Sequence, residues 1–491
     1  MQVLEELDRI TEQQDRSATF ELIRELADPG AVETVRERIV YALARLGDPR
    51  AAVPLAGIGR DRDQSAQVRQ AALQVLEESA MCPEGAELRA WWHTGDDLVR
   101  ACLLRQATRG EADLLEPVVR DPRHLLHRHG LIGIGITFEE PPWQQYKIAG
   151  LTHPDPAVRR TAAYQLGWDE PVAAEPALHR TATDSDADVA CAAIDTLRYY
   201  RSRATLRLLH EIAQGDDTRA AAARDAAADL LSDFEDEQSR IQHWLTPVAD
   251  LLGAPEPDTA PAPGPPGPRR SKPSAPSAAE VFAMYSDPDG LWEPKLAALH
   301  TYPRSDHWSG VPAADRPGLA AFLSGHPDPQ VRALCCPALS SWQEVDALLA
   351  LTRDRELGVR KSAVYNLRFV PRSHEIATIT WDLISSGEIA GTCGQEALAT
   401  CAAHTPPGDL DDRLIELART DLREGIRAAA VSLLDDHIEP LLPLLSEPPL
   451  LTWAVHTRLL DACRNSGRQP PAANALRTID NLYVAAALGD R

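Results

Sequence analysis

Reactive side chains gather at a few places in this sequence: two His-Glu dipeptides, an aspartate run, a histidine cluster and a Trp-Trp-His triplet. His210-Glu211 and His374-Glu375 each set an imidazole beside a carboxylate. Asp184-Ser185-Asp186-Ala187-Asp188 opens like a calcium loop. Its sixth position is Val189 where that loop needs glycine, and its twelfth is Asp195 rather than glutamate. A helix-capping turn accounts for the same aspartates. His124 and His127 are three apart, so a helix brings both imidazoles near one ion. No carboxylate or thiol follows at ligand spacing, and with Arg123, Arg128 and His129 the segment reads as a solvated basic face. Gly130 to Gly135 lacks the strand that precedes a phosphate loop and reads as helix. Trp91-Trp92-His93 is the least ordinary feature. Successive helical residues point about 100° apart, so one packing seam does not take both indoles. A partly exposed indole suits the anchoring of a partner, which makes Trp91, Trp92 and His93 the candidate partner-binding residues. No nucleophile, base and oxyanion set emerges, and the sequence assigns no catalytic residue, no cofactor and no metal.

The elements that must carry these residues are set by a repeated unit. In His153–Gly167, Asp155 is placed to cap a helix and Pro156 to begin it. Val158, Ala162 and Leu166 then form one helical stripe, and Gly167 is expected to stop the helix. A near twin begins at His326, with the stripe Val331, Cys335 and Leu339. The position after the first stripe residue falls at 36, 69, 100, 127, 159, 190 and 224, then at 332, 360, 394, 427 and 456. Within each series successive markers lie 27 to 34 residues apart, a period typical of stacked repeats. Arg recurs at the marker, as in Arg36, Arg69, Arg159 and Arg332, and is expected to pair with acidic residues of neighbouring turns. Between stripes a second helix has its own punctuation, as in Gly47-Asp48-Pro49 before Ala51-Ala52-Val53. Two short helices of about 30 residues cannot bury a core alone, so each unit leans on its neighbours. The predicted fold is all-α, an α-solenoid of stacked antiparallel helix pairs.

The pattern Asp-Pro-x-x-Val-Arg-x-x-Ala-x-x-x-Leu at Asp155–Leu166, with Leu-Gly-Asp-Pro-Arg-Ala at Leu46–Ala51, resembles HEAT repeats of the short phycobilisome-lyase type. The resemblance covers roughly residues 28–235 and 325–465. It implies a HEAT-like solenoid, a fold that serves scaffolds, adaptors and a few enzymes. Di-iron hydroxylases of the deoxyhypusine type carry His-Glu just after the Val-Arg position, where this sequence has Glu37-Arg38, Gln70-Ala71 and Arg160-Thr161. That enzyme reading is therefore set aside.

Residues 253–279 hold nine prolines among Gly, Ser and Ala, a composition of extended solvated chain. They are read as a linker between an array at 1–252 and a second at 280–491, the latter opening with an irregular cap at 280–324 that includes Trp292 and Trp308. The net charge of −23 divides into −15 and −9 for the arrays and +1 for the linker, so neither array offers the basic footprint of a nucleic-acid binder. The eight cysteines include no C-x-x-C, as expected in a reducing cytoplasm, and no run approaches the length of a membrane span. The expected function is a cytoplasmic scaffold or adaptor holding a protein or peptide partner, favouring a basic one, on a concave face lined by the second helix of each pair. The alternative is an enzyme on the same fold, similar to HEAT-like lyases or DNA glycosylases, with Trp91, Trp92 and Asp96 or Asp97 in its site.

Overall fold

The computed structural model describes residues 2–79, 81–107, 109–135, 138, 140–232, 278–287, 311–387, 391–434 and 437–471, with scattered positions to 488. Residues 253–277 of the Pro-rich segment, and Trp292 and Trp308, lie outside the described residues. Every described regular element is helical. In chain order the α-helices are α1 (Gln2–Gln13), α2 (Thr19–Leu26), α3 (Glu33–Leu46), α4 (Ala52–Arg60), α5 (Ala66–Glu78), α6 (Gly85–Thr94), α7 (Asp97–Gln106) and α8 (Ala112–Arg120). They continue with α9 (His127–Ile134), α10 (Pro141–Gly150), α11 (Pro156–Asp169), α12 (Glu175–Thr181), α13 (Ala187–Leu197), α14 (Arg203–Ala213) and α15 (Thr218–Ser232). After the gap come α16 (Ala278–Ser286), α17 (Arg316–Ser324), α18 (Pro329–Trp342), α19 (Val345–Leu351) and α20 (Leu357–Leu367). The last are α21 (His374–Ser385), α22 (Gly391–His404), α23 (Asp411–Thr420), α24 (Glu424–Leu433) and α25 (Ala454–Asn465).

The repeat punctuation forms as its chemistry dictates. Asp155 accepts a hydrogen bond from the Ala157 N–H at 2.9 Å, and Asp328 accepts one from the Gln330 N–H at 2.8 Å. Gly47 closes α3 in the left-handed region at φ +52°, donating its N–H to the Leu43 carbonyl. Gly167 departs from expectation. Helix α11 runs on through Trp168 and Asp169, and Glu170, at φ +49°, ends it. Nothing after Leu166 interrupts the backbone ladder, so a glycine alone does not stop the helix.

The stripes are the core. Val158, Ala162 and Leu166 are buried, as are Val331, Cys335 and Leu339, and the weaker set Cys393, Ala397 and Cys401. Val-Arg helices pack on the second helix before them and on the Val-Arg helix of the next repeat, as α11 packs on α10 and α13 and α20 on α19 and α22. Burying one such Val or Leu contributes about 1.5–3 kcal/mol, and the sum must offset the ordering of short helices that do not persist alone. Gly130 shows how closely the helices approach. A β-carbon there would sit 2.8 Å from Val119 and 2.9 Å from Val118, so α9 lies against α8 only because this residue has none.

The marker arginines join repeats. Arg159 grips Asp184 of the following turn with two bonds of 2.8 and 2.9 Å, and Arg332 grips Asp354 with 2.7 and 2.9 Å. Both also donate to carbonyls of the turn before their own helix, at His153 and His326. Arg69 reaches Asp96 at 2.7 Å.

The described residues gather into two compact units, each drawing on both sides of residue 270. One comprises residues 1–112 and 270–405, the other 113–269 and 406–491. In the first, Arg16 is buried against Asp328 and donates to the carbonyls of Leu46 and Gly47 at 3.0 and 3.1 Å. In the second, the Val172 N–H donates to the Leu451 carbonyl at 2.8 Å, and Asp480 accepts from the Arg203 and Ala204 amides.

Candidate interaction surfaces

The aspartate run forms a turn and a cap. Asp184 is taken by Arg159 and accepts the Asp186 N–H, while Asp186 caps α13 through the Val189 N–H at 3.0 Å. The Arg159 hydrogen bond holds the Asp184 carboxyl below the usual aspartate range. The histidine cluster is less solvated than its composition suggested. His127 is buried, with Nδ1 3.1 Å from the Val118 carbonyl oxygen, and stacks on His153 with ring centroids 5.6 Å apart. Burial lowers its pKa, so the neutral ring is favoured there. His124 accepts the Leu126 N–H on Nδ1. His210-Glu211 lies on α14 and His374-Glu375 opens α21, both second helices. Among the described residues no three His, Cys, Asp or Glu side chains are placed to hold a metal ion.

The Trp-Trp-His triplet ends α6, where the three side chains part company. Trp91 is buried under the Arg60 guanidinium, 4.7 Å from its ring centroid. Trp92 is half-buried beside Arg100, and His93 is exposed. Asp96, the carboxylate imagined beside these indoles, caps α7 and pairs with Arg69.

Trp91 floors a cavity of about 520 Å³ within the first unit. Its apolar wall includes Ala52, Val53, Met81, Pro83 and Pro329. Val53 is 81% exposed, the most exposed large aliphatic side chain among the described residues. The polar lining is Glu84, Glu87, Arg355 and Glu356. Glu84 occupies the capping position of α6 but makes no capping bond, so its carboxylate is not spent on the helix. Burial pushes the Glu84 carboxyl up; Arg360 counters this and Glu111 adds to it. Burial also raises Glu356, with the charge of Glu84 adding to the shift. Glu356 lies 3.8 Å from the exposed Arg355.

A second feature escaped the sequence reading. Large exposed aromatics sit on or just beyond Val-Arg helices: Tyr41, Tyr164, Trp168, Tyr199, Tyr365 and Phe369. Among the described second helices only α2 carries one, Phe20. Tyr41, Tyr164 and Tyr365 stand six residues after Val35, Val158 and Val359; Trp168, Tyr199 and Phe369 stand ten after Val158, Val189 and Val359. The sixth position falls on the helix face opposite the buried stripe and the tenth beside it at or just past the helix end. Each unit has one edge-to-face pair in this register. Tyr164 and Trp168 have centroids 6.0 Å apart, Tyr365 and Phe369 5.2 Å. Tyr199 follows α13, which packs beside α11, and its ring edge lies 3.5 Å from where a β-carbon of Gly167 would be. The signal that could have found them is the register itself, read at the sixth and tenth positions as well as along the stripe.

Residues 147–239 match the family model for HEAT repeats. No curated protein matches the sequence. Similar solved structures include one of Kap95p with RanGDP (13% identity, 96% of this chain and 72% of that one, TM-score 0.29) and importin beta (13%, 99% and 74%, 0.30). A third is Kap121p (13%, 97% and 56%, 0.31). At such scores no common superhelix is implied.

Proposed function

We propose that this HEAT-repeat chain is a cytoplasmic scaffold that holds a protein partner against the outward rows of its Val-Arg helices. The observation that supports this is the aromatic register: Tyr164 with Trp168, and Tyr365 with Phe369, stand exposed at matching positions of two repeats. This reading places the partner on the Val-Arg helices, whereas the sequence alone favoured the face of the second helices. Exposed aromatics at helix spacing are the anchors that interfaces use, because a rigid ring buries much area at little entropic cost. No helix among the described residues is long and apolar enough to cross a membrane.

The test is a photo-crosslinking residue placed at Trp168 or Tyr365 in the native cell, with Glu211 on α14 as the reference position. One protein species should crosslink from both aromatic positions and not from Glu211. Its binding to purified chain should weaken roughly thirtyfold in Trp168→Ala, about 2 kcal/mol, the loss typical of an interface anchor. Equal crosslinking from all three positions, or unchanged affinity in Trp168→Ala, would overturn the proposal.

A further inference from the structure

We propose that the cavity floored by Trp91 receives an arginine or lysine side chain of an extended partner segment, its head between Glu84, Glu87 and Glu356 and its stem along Val53, Met81 and Pro329. This goes beyond the scaffold reading and stands even if the aromatic rows prove idle, since it rests on different residues.

Charge complementarity selects the occupant. Three carboxylates and one guanidinium face the space, and that guanidinium, Arg355, is itself exposed. Beyond the lining, Arg360 and Glu111 act on Glu84 with opposite sign, and Asp354 is engaged by Arg332. The space therefore keeps an excess of negative charge. The cation the chain itself supplies there is the exposed Arg355, 3.8 Å from Glu356, so one solvent-facing guanidinium stands against three carboxylates and an entering cation has only that weak pair to compete with. Both Glu84 and Glu356 are held toward protonation, first by burial, and an entering cation would relieve that penalty. The wall excludes a bare inorganic ion as the best fit. An ion has no use for the flank of Val53 or Pro329, whereas the methylenes of Arg or Lys cover apolar surface while the head keeps polar company. The volume, about 520 Å³, exceeds what one side chain fills and leaves room for flanking residues over the exposed Val53. That favours a peptide over a small amine.

The experiment uses the full chain and two fluorescein-labelled peptides, Ala-Leu-Arg-Leu-Ala and Ala-Leu-Gln-Leu-Ala, followed by anisotropy at physiological salt. The arginine peptide should bind saturably and at least tenfold tighter than the glutamine one. Its affinity should fall at least tenfold in the double variant Glu84→Gln/Glu356→Gln. It should be unchanged in Glu12→Gln/Glu25→Gln, which removes the same charge from exposed sites on α1 and α2 and so separates the cavity from the general pull of an acidic protein. The cavity variant removes the mutual repulsion of the Glu84 and Glu356 carboxylates, so it should remain folded, with melting no lower than the parent. Three results would each overturn the proposal: equal binding of the two peptides, equal loss in both double variants, or N-butylguanidinium alone binding as tightly as the arginine peptide.

Discussion

Replacing Arg16 by methionine tests whether the two stretches of the first unit are welded where the structure places the weld. The Arg16 side chain is 2% exposed and that of Asp328 is 1% exposed. Arg16 donates to the Leu46 and Gly47 carbonyls and pairs with Asp328, so its removal strands a buried carboxylate and two carbonyls. Asp328 keeps one partner, the Gln330 N–H at 2.8 Å. Breaking one side of a buried pair costs about 3–5 kcal/mol. The double variant Arg16→Met/Asp328→Asn removes the stranded charge while keeping an acceptor for the cap. It should therefore recover part of that loss, with the two costs failing to add by about 2 kcal/mol. Hydrogen exchange reads this locally, which matters because a chain of two units need not unfold in one step. The reporters are the Arg332 N–H, bonded to the Asp328 carbonyl, and the Ala51 N–H, bonded to the Asp48 carbonyl. Arg16→Met should speed both by roughly 150-fold or more, the equivalent of about 3 kcal/mol. Faster exchange at Ala51 alone would mean that the first turns open without disturbing α18. Strictly additive costs would mean that Arg16 and Asp328 do not touch, and either result would refute the reasoning.

The Arg159–Asp184 link carries a pH signature: the folded carboxyl titrates below its unfolded value of about 3.9, so its stabilisation is complete above that value and lost as pH falls through the folded pKa. Arg159→Ala should therefore lower the urea midpoint more at pH 6 than in acid below the folded pKa, where only the bonds to the His153 and Pro154 carbonyls are left to lose, and an equal effect at both would refute the charge link. Two glycines on helices should respond with opposite sign. Gly130→Ala meets Val118 and Val119 and should destabilise by about 1–3 kcal/mol, while Gly57→Ala, with nothing within 4 Å, should stabilise by about 1 kcal/mol, both read from urea melts.

The repeat was legible because its constraints are local. Asp155 and Pro156 cap and start a helix by their own chemistry, and a period of four apolar positions admits one buried face. The inter-repeat clamp was legible too, since Arg159 and Asp184 stand about one repeat apart. Gly167 misled because a glycine marks a helix end only when the following residues favour leaving it, and Trp168 and Asp169 do not. His127 misled because its arginine and histidine neighbours suggested a wet face, while its place at the repeat marker put it in the core. The cavity could not be read at all. Val53, Glu84 and Glu356 meet only once chain stretches about 270 residues apart share a unit, and no spacing rule announces that.

The aromatic rows weigh more than their number suggests because the fold does not ask for them. The sixth position after the first stripe residue holds Gln74 in α5, Arg105 in α7 and Asp195 in α13, and those helices form and stack as the others do. A polar residue there satisfies the helix, keeps the face wet and avoids exposing apolar surface. Tyr164 and Trp168 bring a face and an edge to the same water-facing row, and Tyr365 and Phe369 do so in the other unit. Packing within each pair is worth about 0.5–1.5 kcal/mol, far less than a ring gains when fully buried. The sites at which the chain foregoes that gain are the sites at which a second molecule would supply it.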